Sequence, residues 1–474
     1  MSDINWFLLF VHLVLAPGTA IHALIFKRDS RAAFGWIAVC VLLPLGGPIL
    51  YLLFGINRVR TQAARLAPAR FGADYERGAA VDQPHPLPAD LAPGYLPLAR
   101  VGAGLSRHAL LAGNCVEALH NGEQAYPAML EAIRGASSRI YLSSYIFDSD
   151  RSGRQFIEAL TQAHARNVDV RVLIDGMGEW YSWPRARRLL RRQGVCTAHF
   201  MPLKLLPPSL HLNLRSHHKL LVVDSTVAFS GGINIGDRHL ADRVENPGRV
   251  VDLHFRLRGP VVNQLEVVFL DMWRFTTGQA DTQPGPAEES PGQMRCRVIT
   301  DGPDEDLDRL TMLLVAAISL AREQIYIMTP YFLPPREIVA ALQAAAVRGV
   351  EVTVILPEKN NLPYVHWATR NMLWELLLRG VRVVYQPPPF VHTKLFVMDR
   401  RYVLIGSANW DARSLRLNFE LMVEIYDAPL ARQLAGHAEA AVHAGTAVTL
   451  EDVDGRSFPV RLRDSLCWLF TPYL

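Results

Sequence analysis

Two stretches of this 474-residue chain repeat one spaced set of reactive side chains. The first holds His217, Lys219, Asp224, Gly231 and Asn234; the second holds His392, Lys394, Asp399, Gly406, Ser407 and Asn409. In both, His precedes Lys by two positions and Asp by seven, Asp precedes Gly by seven, and Gly precedes Asn by three. Leu220–Val223 and Leu395–Met398 read as buried strands. Side chains two apart on a strand point the same way, so each His and Lys project together. The glycines permit a tight turn that brings Asn234 or Asn409 back beside that pair. One copy then offers an imidazole, an ammonium and an amide, a set suited to a phosphate group. Two copies offer more. Exchange at a phosphodiester needs an attacking group on one face and a proton donor for the leaving oxygen on the other. His217 and His392, brought together from two related halves, fill those roles. Asp252 in VVDLHF and Glu420 in LNFELM lie downstream on strand-like segments. Each is a candidate to hold the second ring proton of the His in its own half.

The flanking sequence repeats as well. AMLEAIRGASSRIYLSSYIF and FIEALTQAHARNVDVRVLID read as helix then strand, and TMLLVAAISLAREQIYIMTPYF and IVAALQAAAVRGVEVTVIL match them in order and spacing. The pattern predicts an α/β fold of two similar halves, each a mixed, mostly parallel sheet flanked by helices. Residues 61–100 and 276–294 are rich in turn-forming residues and read as linkers, leaving halves at 101–275 and 295–474. Residues 1–60 differ. Trp6–Phe26 and Phe34–Phe54 contain no Asp, Glu, Lys or Arg, and each is long enough to cross a bilayer as a helix. Trp6, Trp36 and Tyr51 lie near their ends, where interfacial aromatics belong. The expectation is a transmembrane hairpin whose second limb is kinked or re-entrant at Pro44, Gly46, Gly47 and Pro48. Arg58, Arg60, Arg65 and Arg70 after it favour the cytoplasmic side for the remainder.

Bulk properties narrow the field. A net charge of +4 suits an anionic membrane surface better than nucleic acid, and no basic stripe is interleaved with aromatics. Five scattered cysteines with no CxxC pair fit a reducing compartment and no disulfide framework. No metal or cofactor is expected: no ligand cluster has recognisable spacing, there is no GxxxxGK[ST] loop, and the lysines bring the positive charge a metal would supply. Three features admit two readings. Arg185, Arg187, Arg188, Arg191 and Arg192 form either a solvated face or a contact for anionic headgroups. Residues 201–214 form either a buried strand and loop or a segment dipping into the bilayer. Tyr331 and Phe332 line an acyl passage or belong to the core.

The paired motifs resemble the HxKx4Dx6G(G/S)xN motifs of the phospholipase D superfamily. ILYLLFGINR, NGEQAYPAMLEAI, IYLSSYIF, VRVLIDGMG, MTPYFLP and the run from His392 through IGSANWDARSLRLNFE are similar to bacterial cardiolipin synthases, over nearly all the chain except the linkers. Departures are His218, where Arg is common, and the absence of a Trp in VENPGRVVDLHFRLRGP. The resemblance implies that a phosphatidyl group passes from one phosphatidylglycerol to another through a phosphatidyl-histidine. In that scheme His217 is the nucleophile and His392 is first acid and then base. Lys219, Lys394, Asn234 and Asn409, with Gly231 and Ser407 in the same turns, bind the phosphoryl oxygens, and Asp224 and Asp399 complete the motif by positioning its loops. It also implies a multi-pass anchor in the bacterial inner membrane, lipid partners and no nucleic acid. A D-G-x2-A-R pattern of the CDP-alcohol transferases is absent. The competing readings are a hydrolytic phospholipase D and a nuclease of the same superfamily.

Overall fold

The computed structural model describes residues 14–27, 30–43, 45–55, 85–88, 91–202, 214–246, 248–279, 283–285, 292–303 and 308–471. The chain forms two compact units, Met1–Arg65 and Leu66–Leu474.

In the smaller unit, helix Ala16–Phe26 lies against helix Ser30–Leu42, which is followed by Gly46–Leu50 and a π-turn at Tyr51–Gly55. The second apolar stretch is thus broken between Leu42 and Gly46, and the Gly-Gly-Pro run opens the next helix. Glycine is required there, because a Cβ on Gly47 would lie 2.2 Å from the carbonyl oxygen of Val39. The core is small: Ala23, Cys40 and Tyr51, with the Tyr51 hydroxyl 2.8 Å from Nδ1 of His22. Ile21, Leu24, Ile25, Phe34, Val41 and Leu42 are exposed. Among the described residues no helix is long and apolar enough to cross a membrane. The first apolar stretch begins at Trp6, outside those residues.

The larger unit is organised by one sheet. Its strands are β1 (Leu111–His120), β2 (Arg139–Ser144), β3 (Asp169–Asp175), β4 (Cys196–Phe200), β5 (Leu220–Val223), β6 (Val227–Gly231), β7 (Val250–Val251) and β8 (Leu253–Arg258), then β9 (Met294–Asp301), β10 (Gln324–Met328), β11 (Phe332–Leu333), β12 (Glu351–Pro357), β13 (Arg382–Gln386), β14 (Phe390–Val391), β15 (Leu395–Met398), β16 (Tyr402–Gly406), β17 (Trp410–Asp411), β18 (Glu420–Tyr426) and β19 (Thr446–Ala447). Fifteen of them run β19-β13-β12-β10-β15-β16-β18-β9-β1-β8-β6-β5-β2-β3-β4. Read outward from the β9–β1 seam, the two sides have the same order apart from the outermost β19, so the halves are related by an approximate two-fold through that antiparallel pair.

The predicted "mostly parallel" sheet is a mixed one in which antiparallel pairs dominate. Only β2–β3, β3–β4, β10–β12 and β12–β13 run parallel within it. These are the pairs joined by helical crossovers such as Arg151–Ala165 and Arg336–Val347. The motif strands cannot be parallel, because β5–β6 and β15–β16 are joined by three-residue turns. The first two residues of those turns, Asp224-Ser225 and Asp399-Arg400, have positive φ.

The predicted linker at 61–100 also ends earlier than expected. Leu91, Leu98 and Ala99 are buried in the second half's core, and helix Leu96–Leu105 packs on Arg309–Leu320. At the seam, Arg297 of β9 is fully buried. It bonds Glu424 of β18, whose other oxygen accepts the hydroxyls of Tyr402 and Tyr426 at 3.1 and 3.2 Å. The buried charges are thereby paired and hydrogen-bonded, as burial demands.

Candidate active site

Two short parallel contacts cross between the halves. β14 pairs with β7, and the His392 N–H donates to the Val251 carbonyl at 2.8 Å. Symmetrically, Ser216 bridges Phe419: the Phe419 N–H donates to Arg215, and the His217 N–H donates to Phe419 at 3.0 Å. The residues following Val251 and Phe419 are Asp252 and Glu420. Each acid is therefore delivered to the histidine of the other half. His217 Nδ1 lies 3.0 Å from Glu420, and His392 Nδ1 lies 2.8 Å from Asp252. Sequence order suggested the opposite pairing, His217 with Asp252 and His392 with Glu420. The cross-half strand contacts overturn it.

With Nδ1–H held by a carboxylate, Nε2 is the ring atom left for substrate on each histidine, that of His392 lying within reach of Lys394 Nζ. Both imidazoles line one cavity of about 1350 Å³, together with Tyr145, Asn234, His239, Tyr331, Asn409 and Ser414. A basic pair stands behind them. Lys219 Nζ donates to the His217 carbonyl at 2.9 Å, and Lys394 Nζ donates to the His392 carbonyl at 2.8 Å while lying 3.0 Å from both ring nitrogens.

This constellation agrees with what known proteins show. The family described as "Cardiolipin synthase, PLD-like domain" matches residues 129–273 and 314–441, one match per half, and "Phospholipase D-nuclease N-terminal" matches residues 6–55. The chain is 30% identical to a cardiolipin synthase of Geobacillus kaustophilus, over 94% of this chain and 90% of that one. It is likewise 30% identical to the major cardiolipin synthase ClsA of Bacillus subtilis, over 94% and 95%.

The chain belongs to the cardiolipin synthase family, with phospholipase D-like halves.

A solved phosphatidylserine synthase of Haemophilus influenzae superposes with a TM-score of 0.62 at 17% identity, covering 80% of this chain and 100% of that one, and so shares the fold. Within this cardiolipin synthase fold, burial sets the charge states. It pulls His217 down to about 4, Glu420 opposing and Lys219 adding to the effect. His392 is held well below its usual range by burial, Lys394 and Lys219. Both rings are therefore neutral near neutral pH. Burial also lowers Lys219 to about 7, with Lys394 beside it, and Lys394 to about 8. The two acids diverge. Burial pushes Glu420 up, but His217, Lys219 and the Ser407 hydroxyl outweigh it and bring the group down to about 2. Burial wins at Asp252 and raises it, against the pull of Lys394.

The other predicted residues fall into separate places. Asp224 and Asp399 do not line the cavity. Asp224 accepts backbone N–H groups of Ser137, Ser138 and Arg139, and Asp399 those of Arg322, Glu323 and Gln324, so each ties its motif turn to the start of β2 or β10. Gly231 is likewise absent from the lining. Its φ is 151°, and a Cβ would lie 2.8 Å from the Leu253 carbonyl, so it closes β6 onto β8. Ser407, expected at the substrate, donates instead to Glu420. Asn234 and Asn409 reach the cavity; the Asn234 side chain accepts from Ile146 N–H at 3.1 Å, and Asn409 donates to Ser414 at 3.2 Å. Tyr331 lines the cavity, whereas Phe332 is buried in the second half's core. In the arginine-rich segment, Arg187 pairs with Glu179 at 3.0 Å and Arg185 stacks on Trp180 at 4.1 Å. Residues 203–213 of the proposed dipping segment lie outside the described residues.

Three contributors were missed. Arg215, fully buried at the cavity wall, bonds Met201 O at 3.1 Å and faces Asp175, which also takes the Ser216 N–H at 3.0 Å and so braces the approach to His217. The Tyr145 ring stands 5.2 Å from that of His217. His239 stands 6.5 Å from His392, ring to ring. The repeat offered no signal for Tyr145, since RIYLSSYIF and QIYIMTPYF align with Pro330 in its place. Arg215 and His239 have no like partner in the other half.

Proposed function

We propose that this cardiolipin synthase-family enzyme joins two phosphatidylglycerol molecules in two displacements on one phosphorus. Neutral His217, its Nδ1–H fixed by ionised Glu420, attacks through Nε2 while Lys219, Lys394, Asn234 and Asn409 hold the phosphoryl oxygens. The bond from phosphorus to the headgroup glycerol breaks, and the departing oxygen takes a proton from His392 Nε2. A phosphatidyl-histidine and free glycerol result. The headgroup hydroxyl of a second phosphatidylglycerol then gives its proton to His392 and displaces His217, yielding cardiolipin. His392 is neutral in the free protein and takes up a proton from solvent as the phosphodiester binds, because that anion offsets the lysine charges that oppose its protonation. The observation carrying this reading is the pair of imidazoles in one cavity, each with Nδ1 tied to a carboxylate from the opposite half.

The apolar side chains exposed on Ala16–Phe26 and Ser30–Leu42 support a further reading of residues 6–55 as a multi-pass anchor in a bacterial inner membrane, and the basic Arg58, Arg60, Arg65 and Arg70 after it favour the cytoplasmic side for the remainder. Incubating the purified chain with phosphatidylglycerol alone, followed by lipid mass spectrometry, tests the reaction. Cardiolipin with glycerol is the expected product. Phosphatidic acid in its place would make the enzyme a hydrolase, and no turnover would sink both.

A further inference from the structure

The last helix, Phe458–Leu469, is firmly held by one face only. Its Asp464 is fully buried and gathers three guanidinium groups, those of Arg370, Arg456 and Arg463. Ser465 bonds Asn371 at 3.0 Å, and Cys467 packs against the second half's core. Phe458, Leu462, Leu466 and Leu469 project elsewhere. At 100° per residue they fall within roughly 80° of arc, away from Asp464. They are 77%, 50%, 52% and 65% exposed, and Phe470 extends the patch at 60%. Arg461 and Arg463 flank the stripe. Four large apolar side chains in water on a helix clamped by a buried ionic cluster call for a partner.

The patch adjoins the cavity mouth. Arg463 stacks on Trp367 at 4.1 Å, and Trp367 lies one helical turn from Tyr364, a half-exposed residue of the cavity lining. Elsewhere on that rim Tyr181 continues into exposed Trp180 and Trp183, with Arg185 stacked on Trp180. Arg243, Arg249 and Lys359 line the opening. Tryptophan, tyrosine and arginine around an opening, beside an amphipathic helix with basic flanks, is the composition of a membrane–water interface.

We propose that Phe458–Leu469 and the aromatic rim dock the larger unit directly on an anionic bilayer, so that the cavity opens at the lipid surface. This goes beyond the transfer reaction and concerns binding, so it stands or falls whether or not the site turns over. The full chain carrying Leu466→p-benzoylphenylalanine, reconstituted in phosphatidylcholine vesicles with or without phosphatidylglycerol, is irradiated and analysed by mass spectrometry, with Arg432→p-benzoylphenylalanine as control. Lipid adducts at position 466, more abundant with phosphatidylglycerol and absent at 432, are expected. Adducts to a second copy of the chain, or no lipid adduct at 466, would overturn the proposal. Independently, Leu462→Asp with Leu466→Asp should lower turnover on vesicles about tenfold while leaving turnover of a monodisperse short-chain phosphatidylglycerol unchanged. An unchanged vesicle rate, or equal loss on both substrates, would count against it.

Discussion

The two half-sites reach one geometry by different means. Around His217, the acid is the longer Glu420, held by the Ser407 hydroxyl and, at 3.3 Å, by Asn418. Around His392, the acid is the shorter Asp252, and the motif position matching Ser407 is Gly232. A Cβ there would sit 2.3 Å from the Asp252 carboxylate. A serine thus accompanies the long acid and a glycine makes room for the short one. The neighbourhoods diverge further: His239 occupies the place in the first motif loop that Ser414 holds in the second, and Arg215 the place of Phe390. The comparison teaches that one duplicated motif, with a serine in one copy and a glycine in the other, gives its two acids different charge environments. Glu420 is driven toward its ionised form by His217, Lys219 and the Ser407 hydroxyl, whereas burial drives Asp252 away from it.

The sharpest way to break this comparison is to remove each histidine. His217→Ala should lose at least about 10⁴-fold in turnover and accumulate no lipid adduct. His392→Ala should lose a similar factor yet accumulate a phosphatidyl adduct on His217, because the second step lacks its base. Peptide mapping after brief exposure to labelled phosphatidylglycerol reads this out, and an adduct on His392 would reverse the roles.

Next in size are the acids. Glu420→Gln and Asp252→Asn should each cost about 10²- to 10⁴-fold, but at different steps. The crossed pairing requires adduct formation to slow most in Glu420→Gln and adduct breakdown in Asp252→Asn. Single-turnover measurements that found the opposite assignment would restore pairing within each half.

Smaller losses should follow at the supporting position. Gly232→Ala, by pressing on Asp252, should lower kcat by about 10²-fold, and Ser407→Ala, which removes one hydrogen bond to Glu420, by about tenfold. Equal effects would mean that the two half-sites are interchangeable.

The smallest effect is on pH dependence. Lys219 and Lys394, lowered to about 7 and about 8, lose their protons and their attraction for phosphate as pH rises through those values. The alkaline limb of kcat/KM, which reports the free enzyme, should therefore begin near pH 7. A bound phosphodiester anion favours the charged ammonium, so the limb of kcat should lie at higher pH. Coincident limbs would show that the lysines do not face the phosphate.

Much of the site was legible without coordinates. Spacing alone joined His217, Lys219 and Asn234 to His392, Lys394 and Asn409, because a duplicated motif repeats local geometry, and local geometry follows from strand periodicity and turn chemistry. The breaker-rich stretch from Pro44 to Pro48 likewise announced a helix interrupted between Leu42 and Gly46. The sheet's direction was misread for a related reason: helix–strand alternation marks crossovers, while the three-residue turns at Asp224 and Asp399 demand antiparallel neighbours.

What the sequence by itself determined was therefore the reactive inventory, its duplication and the α/β character of both halves, all consequences of short-range periodicity. Only the tertiary structure decided which acid serves which histidine, that Ser407 serves Glu420, and that His239 and Arg215 join the site. The crossed pairing of acid and histidine rests on the strand contacts between 216 and 419 and between 251 and 391, which link residues far apart in the chain. No local pattern encodes them, because they arise only when two half-sheets share the β1–β9 seam and turn their motif edges toward each other.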